Sequence, residues 1–213
     1  MLLLGAAPAR ADWEDPLPPI PPPPRLTQLP LPGASWISLT GGLRVIPQAD
    51  LSASLASFGL ALQSHQLLQP AAGAALLWRF AADWSVGTEF GYSPDRYWLT
   101  DGSAVVVQTL MIQAVLQWSP PLGWSRVEPY LSAGVGYFLS GVSRPGAFGQ
   151  AGSAEADGNG EFAAVGVRVA LTTKFGLTAE ERYAFAYAPL GPLGNASVGG
   201  NTVAVGLYYV WRE

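Results

Sequence analysis

The chain closes on "TVAVGLYYVWRE" (202–213). From Val203 every second residue is large and apolar: Val203, Val205, Leu207, Tyr209 and Trp211. Ala204, Gly206, Tyr208 and Val210 take the steps between. Strand side chains alternate between two faces, so this segment is a strand with unlike faces. Whether the greasier face touches a protein core or lipid decides the fold.

Composition narrows the choice. The chain has 213 residues, enough for one barrel or sandwich domain with a sizeable core. Only 12% of residues are charged, where a soluble domain carries about 25%. A net charge of −4 gives no basic footprint and argues against nucleic acid as a partner. The chain has no cysteine, which excludes disulfides, thiol catalysis and thiolate metal sites.

At the N-terminus, "MLLLGAAPARA" (1–11) is an apolar run closing on Ala9-Arg10-Ala11. That is the pattern of an export signal lacking its basic n-region. Residues 12–33 include "DPLPPIPPPPRLTQLPLPG", which holds nine of the nineteen prolines. Such a run makes neither helix nor ladder and is expected as a semi-rigid polyproline II spacer in the periplasm. No later stretch is apolar for 18 consecutive residues, so no transmembrane helix is expected.

From Ala34 the pattern predicts eight strands: 34–46, 71–80, 84–92, 105–118, 127–138, 161–172, 175–187 and 202–212. Most are long enough for a tilted strand to span hydrocarbon, which takes about 9–11 residues. Short connections (81–83, 119–126, 173–174) alternate with longer ones (47–70, 93–104, 139–160, 188–201). Short turns at one end, long loops at the other and an even strand count are the plan of an outer-membrane barrel. Within the first loop, Leu51, Leu55, Phe58 and Leu62 fall at helical spacing and predict a short helix. Phe58, Leu60 and Leu62 also alternate like a strand, but a ninth strand would break the even count.

With the apolar set of the last strand turned outward, Leu177, Val165, Leu131, Ile112, Phe90, Leu76 and Leu39 share its face around the ring. The opposite face carries Arg44, Arg79, Glu89, Glu128, Arg168, Glu180 and Arg182, with Gln113 and Gln117. Seven charges over eight strands are thin cover for a wet surface. Four Arg against three Glu nearly balance, which suits an enclosed lumen where each ion needs a partner. An eight-stranded barrel is only just wide enough for its interior side chains. The six charges other than Arg44 are therefore expected to interlock as one network that plugs the lumen. A soluble lipocalin-like carrier, with the greasy face inside, is the alternative.

In the outward arrangement Trp36, Trp78, Trp84, Trp118, Trp124 and Trp211 gather near the periplasmic rim. Tyr92, Tyr137 and Tyr187 lie near the outer rim. Amphipathic aromatics belong at both membrane interfaces.

These residues resemble a family. "VEPYLSAGVGYF" (127–138) looks like the fifth strand of small outer-membrane barrels of the OmpA/OmpW type. "FGLTAEERYAF" (175–185) resembles their seventh, with inward Glu180 and Arg182. The terminal strand resembles their assembly signal, although Arg212 and Glu213 follow its last aromatic and Glu181 faces lipid. The resemblance implies an eight-stranded antiparallel up-and-down transmembrane barrel over residues 34–213 in a bacterial outer membrane. It also implies lipid and the outer-membrane assembly machinery as partners, and small hydrophobic molecules as possible cargo.

Little in the sequence speaks for catalysis. The single histidine, His65, sits in the first loop with no recognisable catalytic companion. Glu155, Asp157 and Glu161 lack the spacing of a calcium loop and read as a solvated acidic loop tip. "GPLGNASVGGN" (191–201) has neither the Lys-Ser/Thr nor the following helix of a phosphate cradle. The expectation is a monomeric, non-enzymatic envelope barrel with a structural or surface role, no cofactor, no metal and no large pore.

Overall fold

A computed structural model describes residues 31–47, 49–57, 59–63, 68–122, 126–143, 153–189 and 195–212. The expected signal segment and nearly all of the proline-rich segment lie outside the described residues, as do Trp124 and His65.

The described residues form nine strands and one short helix: β1 (Ser35–Val45), α1 (Ala49–Ser57), β2 (Gln69–Arg79), β3 (Trp84–Trp98), β4 (Ala104–Trp118), β5 (Val127–Ser143), β6 (Ser153–Ala170), β7 (Phe175–Pro189), β8 (Asn195–Ser197) and β9 (Gly200–Arg212). Consecutive strands from β1 to β7 pair antiparallel; β9 then joins β7 to β1 and closes the ring. Eight strands form the wall, and three-residue β8 extends the edge of β7 at the outer end. No described helix is long and apolar enough to cross a membrane.

The faces follow the alternation. Leu39, Val135, Phe185, Val205 and Leu207 are all more than half exposed on the outside or close to it. Arg44, Gln113, Gln117 and Arg168 are almost fully buried inside. Exposed leucine, valine and phenylalanine on every wall strand cannot be the surface of a soluble carrier, so the lipocalin-like alternative fails.

Three predicted loops are shorter than expected. β3 and β4 run on to Trp98 and Ala104, leaving 99–103 as the turn where 93–104 was expected. Alternation persists there, with Ser93, Asp95 and Tyr97 buried and Arg96 and Trp98 exposed. Pro94 obscures this, yet it lies beyond the last β2–β3 pair, Ala72 with Tyr92, where an edge tolerates proline. The Gln69 amide takes over from that ladder, donating to Arg96 O (2.9 Å) and accepting from Arg96 N (3.1 Å). Likewise β5 and β6 stay paired out to Ser143 and Ser153, so most of 139–160 is ladder and not loop. In 188–201, β7 continues to Pro189 and pairs with β8.

The predicted helix in the first loop is α1. Its Leu55 is fully buried, and beyond it Leu62 bridges to Leu99 while Gln63 N donates to Trp98 O (2.8 Å). The first loop therefore folds across the outer mouth onto the β3–β4 hairpin.

Candidate functional site

The barrel interior is layered. Nearest the periplasmic end, Glu128 on β5 sits between two guanidiniums. Arg168 of β6 donates from Nε (2.9 Å) and ion-pairs through Nη2 (2.8 Å), and Arg79 of β2 grips the other oxygen. Arg168 also donates to Gln117 Oε1 (3.2 Å) and Ser119 Oγ (3.4 Å).

Trp36 belongs to this layer. It is 1% exposed, with the Arg168 guanidinium 4.5 Å and that of Arg79 5.7 Å from its ring centre. The expected membrane-interface role is thus corrected: one step from outward Ile37, Trp36 must point into the lumen. Trp78, Trp84 and Trp211 do face outward at this rim, and Trp118 pairs with Trp84. Tyr92, Tyr137 and Tyr187 are exposed at the outer rim.

The middle layer is a second triad. Arg182 on β7 donates to Glu180 from Nε (3.0 Å) and Nη2 (2.7 Å), to Glu89 of β3, and to Gln113 Oε1 (3.0 Å). Its guanidinium stacks 4.1 Å over the ring of Phe162. The two triads carry +1 and −1, so the pair is neutral.

Tyr130 joins them. Its hydroxyl donates to Glu180 Oε2 (3.1 Å), while Arg168 lies 5.0 Å over its ring. Gly166 makes this possible, because a Cβ there would fall 2.3 Å from the tyrosine Cζ. The six charges expected as one network are two triads coupled through an aromatic ring.

Arg44 stands apart from both. It pairs with Asp95 at 3.5 Å, donates to Ser93 Oγ, and holds the carbonyls of Val198 and Gly199 (2.9 Å to the latter). These carbonyls lie between β8 and β9. Asp95 was hidden from the sequence reading because Pro94 suggested a loop; continuing the alternation two residues past Ser93 would have found it. The lumen then holds four Arg against four acids.

Above Arg44 the interior turns apolar. Leu55, Tyr97, Leu99, Val105, Val107 and Val142 are buried together under the first loop. The expected plug of charges thus has an apolar layer above it at the outer end.

What remains open inside is small. A cavity of about 80 Å³ lies among the layers, lined by Ser38, Thr40, Gln117, Ser132 and Tyr208 among others. Gln117 Nε2, Ser132 Oγ and the Tyr208 hydroxyl have no hydrogen-bond partner there among the described residues. Such a space is large enough to hold water, which needs about 10–15 Å³.

Neisserial surface protein A matches over 83% of this chain and 96% of its own, with TM-score 0.57 and 14% identity. The N-terminal barrel of Pseudomonas aeruginosa OprF matches over 84% and 98%, with TM-score 0.54 and 11% identity. OprG from the same organism matches over 87% and 99%, with TM-score 0.54 and 14% identity. The chain has the fold of the small eight-stranded outer-membrane barrels. No family model and no curated protein matches the sequence.

The barrel is membrane-embedded, and its lumenal ions are paired with one another. Each of the four lumenal carboxylates is tied by at least one guanidinium, and Asp95 also accepts from Ser93 Oγ (3.1 Å).

Proposed function

We propose that this barrel serves the bacterial outer membrane as a non-enzymatic structural or surface protein without a large pore. The lumen carries the proposal: two ion triads and an apolar outer layer occupy it, with a cavity of about 80 Å³ among the described residues. Lipid surrounds the wall, and the assembly machinery reads the terminal β9 strand. No cofactor enters this role. Planar-bilayer recording of the purified barrel tests the proposal. The expected trace lacks steady porin-sized conductance, and a stable channel of that size in the wild-type protein would refute it.

One observation supports a second reading, passage of small hydrophobic molecules. The buried cluster of Leu55, Tyr97, Leu99, Val105 and Val142 gives the outer lumen an apolar lining that such cargo would need. Partition of a fluorescent hydrocarbon into barrel-containing vesicles tests it. Rates equal to those of empty vesicles would remove this reading and leave the first in place.

A further inference from the structure

Glu181 is exposed on the lipid face, and its cross-strand partners are Val165 and Val203, both more than half exposed. It lies six residues up β7 from Phe175 at the periplasmic rim. A strand rises about 3.3 Å per residue and tilts about 40° in a barrel wall, so six residues climb about 15 Å of an apolar band about 25 Å tall. Glu181 thus sits close to mid-membrane. Asn201 Nδ2 donates to its Oε1 (3.0 Å), a bond that brings no charge. Glu161 on β6 is also exposed outward, in the cross-strand row Ala114–Val135–Glu161–Phe185 nearer the outer rim.

Among the described residues no cation faces lipid between the aromatic rims. Arg44, Arg79, Arg168 and Arg182 are committed to the lumen. Arg96 lies beyond Tyr92, beside Trp98, and Lys174 and Arg126 belong to the periplasmic turns. Among the described residues the barrel offers these carboxylates no cation of its own. A second copy brings the same acids, and lipid headgroups lie at the membrane surface, away from mid-height. Ionisable groups inside a membrane mark contacts, because leaving them in hydrocarbon is costly. Between the two acids, on β6, stands Ala163, opposite Tyr183 of β7, and on the β4–β5 side of Glu161 a shallow trough is lined by Ala114, Ala133 and Val135. Small side chains let another backbone approach closely.

We propose that the outer surface of β5–β7 docks a different membrane-embedded protein, which presents a lysine or arginine from its own lipid-facing surface to Glu181. Glu161, four register positions away and so about 13 Å along the strands, is the second acidic contact. The inference rests on the barrel lying in a bilayer.

The test places a photo-crosslinking phenylalanine analogue at Ala163, between the carboxylates, in the full chain in its own membrane. A control probe replaces Leu39 on β1. The Ala163 probe is expected to capture one different protein, with the crosslinked peptide adjoining a lysine or arginine. The Leu39 probe is expected to label lipid only. Glu181→Gln keeps the side-chain shape and removes a charge from lipid, so the barrel keeps its heat-dependent gel mobility while the adduct falls at least tenfold. Glu181→Lys combined with Glu in place of the partner's cation restores it. Capture of a second copy, of lipid alone, or of a protein whose yield Glu181→Gln leaves unchanged would overturn the proposal. A Leu39 probe that labels no lipid would instead overturn the embedded barrel.

Discussion

Replacing Arg182 with Met isolates the middle triad. The substitution keeps most of the aliphatic stem over Phe162 and removes every guanidinium contact: two bonds to Glu180, one to Glu89 and one to Gln113. Glu89 and Glu180 then face each other without a cation, their side chains only 15% and 17% exposed. Breaking a buried pair by removing one partner costs about 3–5 kcal/mol. Two stranded carboxylates put Arg182→Met at the upper end, about 4–5 kcal/mol. Urea unfolding of the barrel refolded into lipid vesicles, followed by tryptophan fluorescence, measures this as a drop in midpoint at unchanged slope. The triple variant Arg182→Met, Glu89→Gln, Glu180→Gln removes the stranded charges and is expected to recover at least half the loss, the non-additivity of a coupled network. A loss under about 1 kcal/mol for Arg182→Met, or a triple variant no more stable than the single one, would show that the triad does not hold the lumen together.

Leu207→Arg sets a charge on the lipid face and is expected to cost about 2–4 kcal/mol near mid-membrane; Ala204→Ser, facing the cavity, should stay within about 0.5 kcal/mol by the same unfolding assay. Gly166→Ala pushes Tyr130 from its seat and should cost about 1–3 kcal/mol as overpacking. Tyr130→Phe, which keeps the ring and drops the hydroxyl bond to Glu180, should cost only about 0.5–1.5 kcal/mol. Asp95→Ala leaves Arg44 buried with Ser93 Oγ and two carbonyls but no counter-charge, and is expected to cost about 3–5 kcal/mol. Arg96→Ala, on the exposed neighbouring position with only its stacking on Trp98 to lose, should cost under about 1 kcal/mol.

Most of the lumen was legible in the sequence because alternation is local. Once Leu207 is outward, parity along each strand assigns Arg79, Glu89, Glu128, Arg168, Glu180 and Arg182 inward without any tertiary information. Parity also assigns Trp36 inward from Ile37. Grouping it with the other tryptophans by height alone put it in the wrong place, since height and face are independent along a strand. Asp95 was obscured because proline is a reliable stop only where both neighbouring strands need its N–H, and β3 has an unpaired edge at Pro94.

The sequence by itself determined the eight strands of the wall, the outward apolar face and seven of the eight lumenal charges. These depend on period-two patterning and on the cost of unpaired charge in a dry interior. Which ion meets which is a property of register and barrel closure. Arg182 reaches Glu89 across the lumen, 93 residues away in the chain, and Arg44 finds Asp95 only because β3 continues upward. The apolar outer layer likewise depends on the first loop folding back across the mouth, bringing Leu55 and Leu62 to Leu99, a long-range contact to which local patterning is blind.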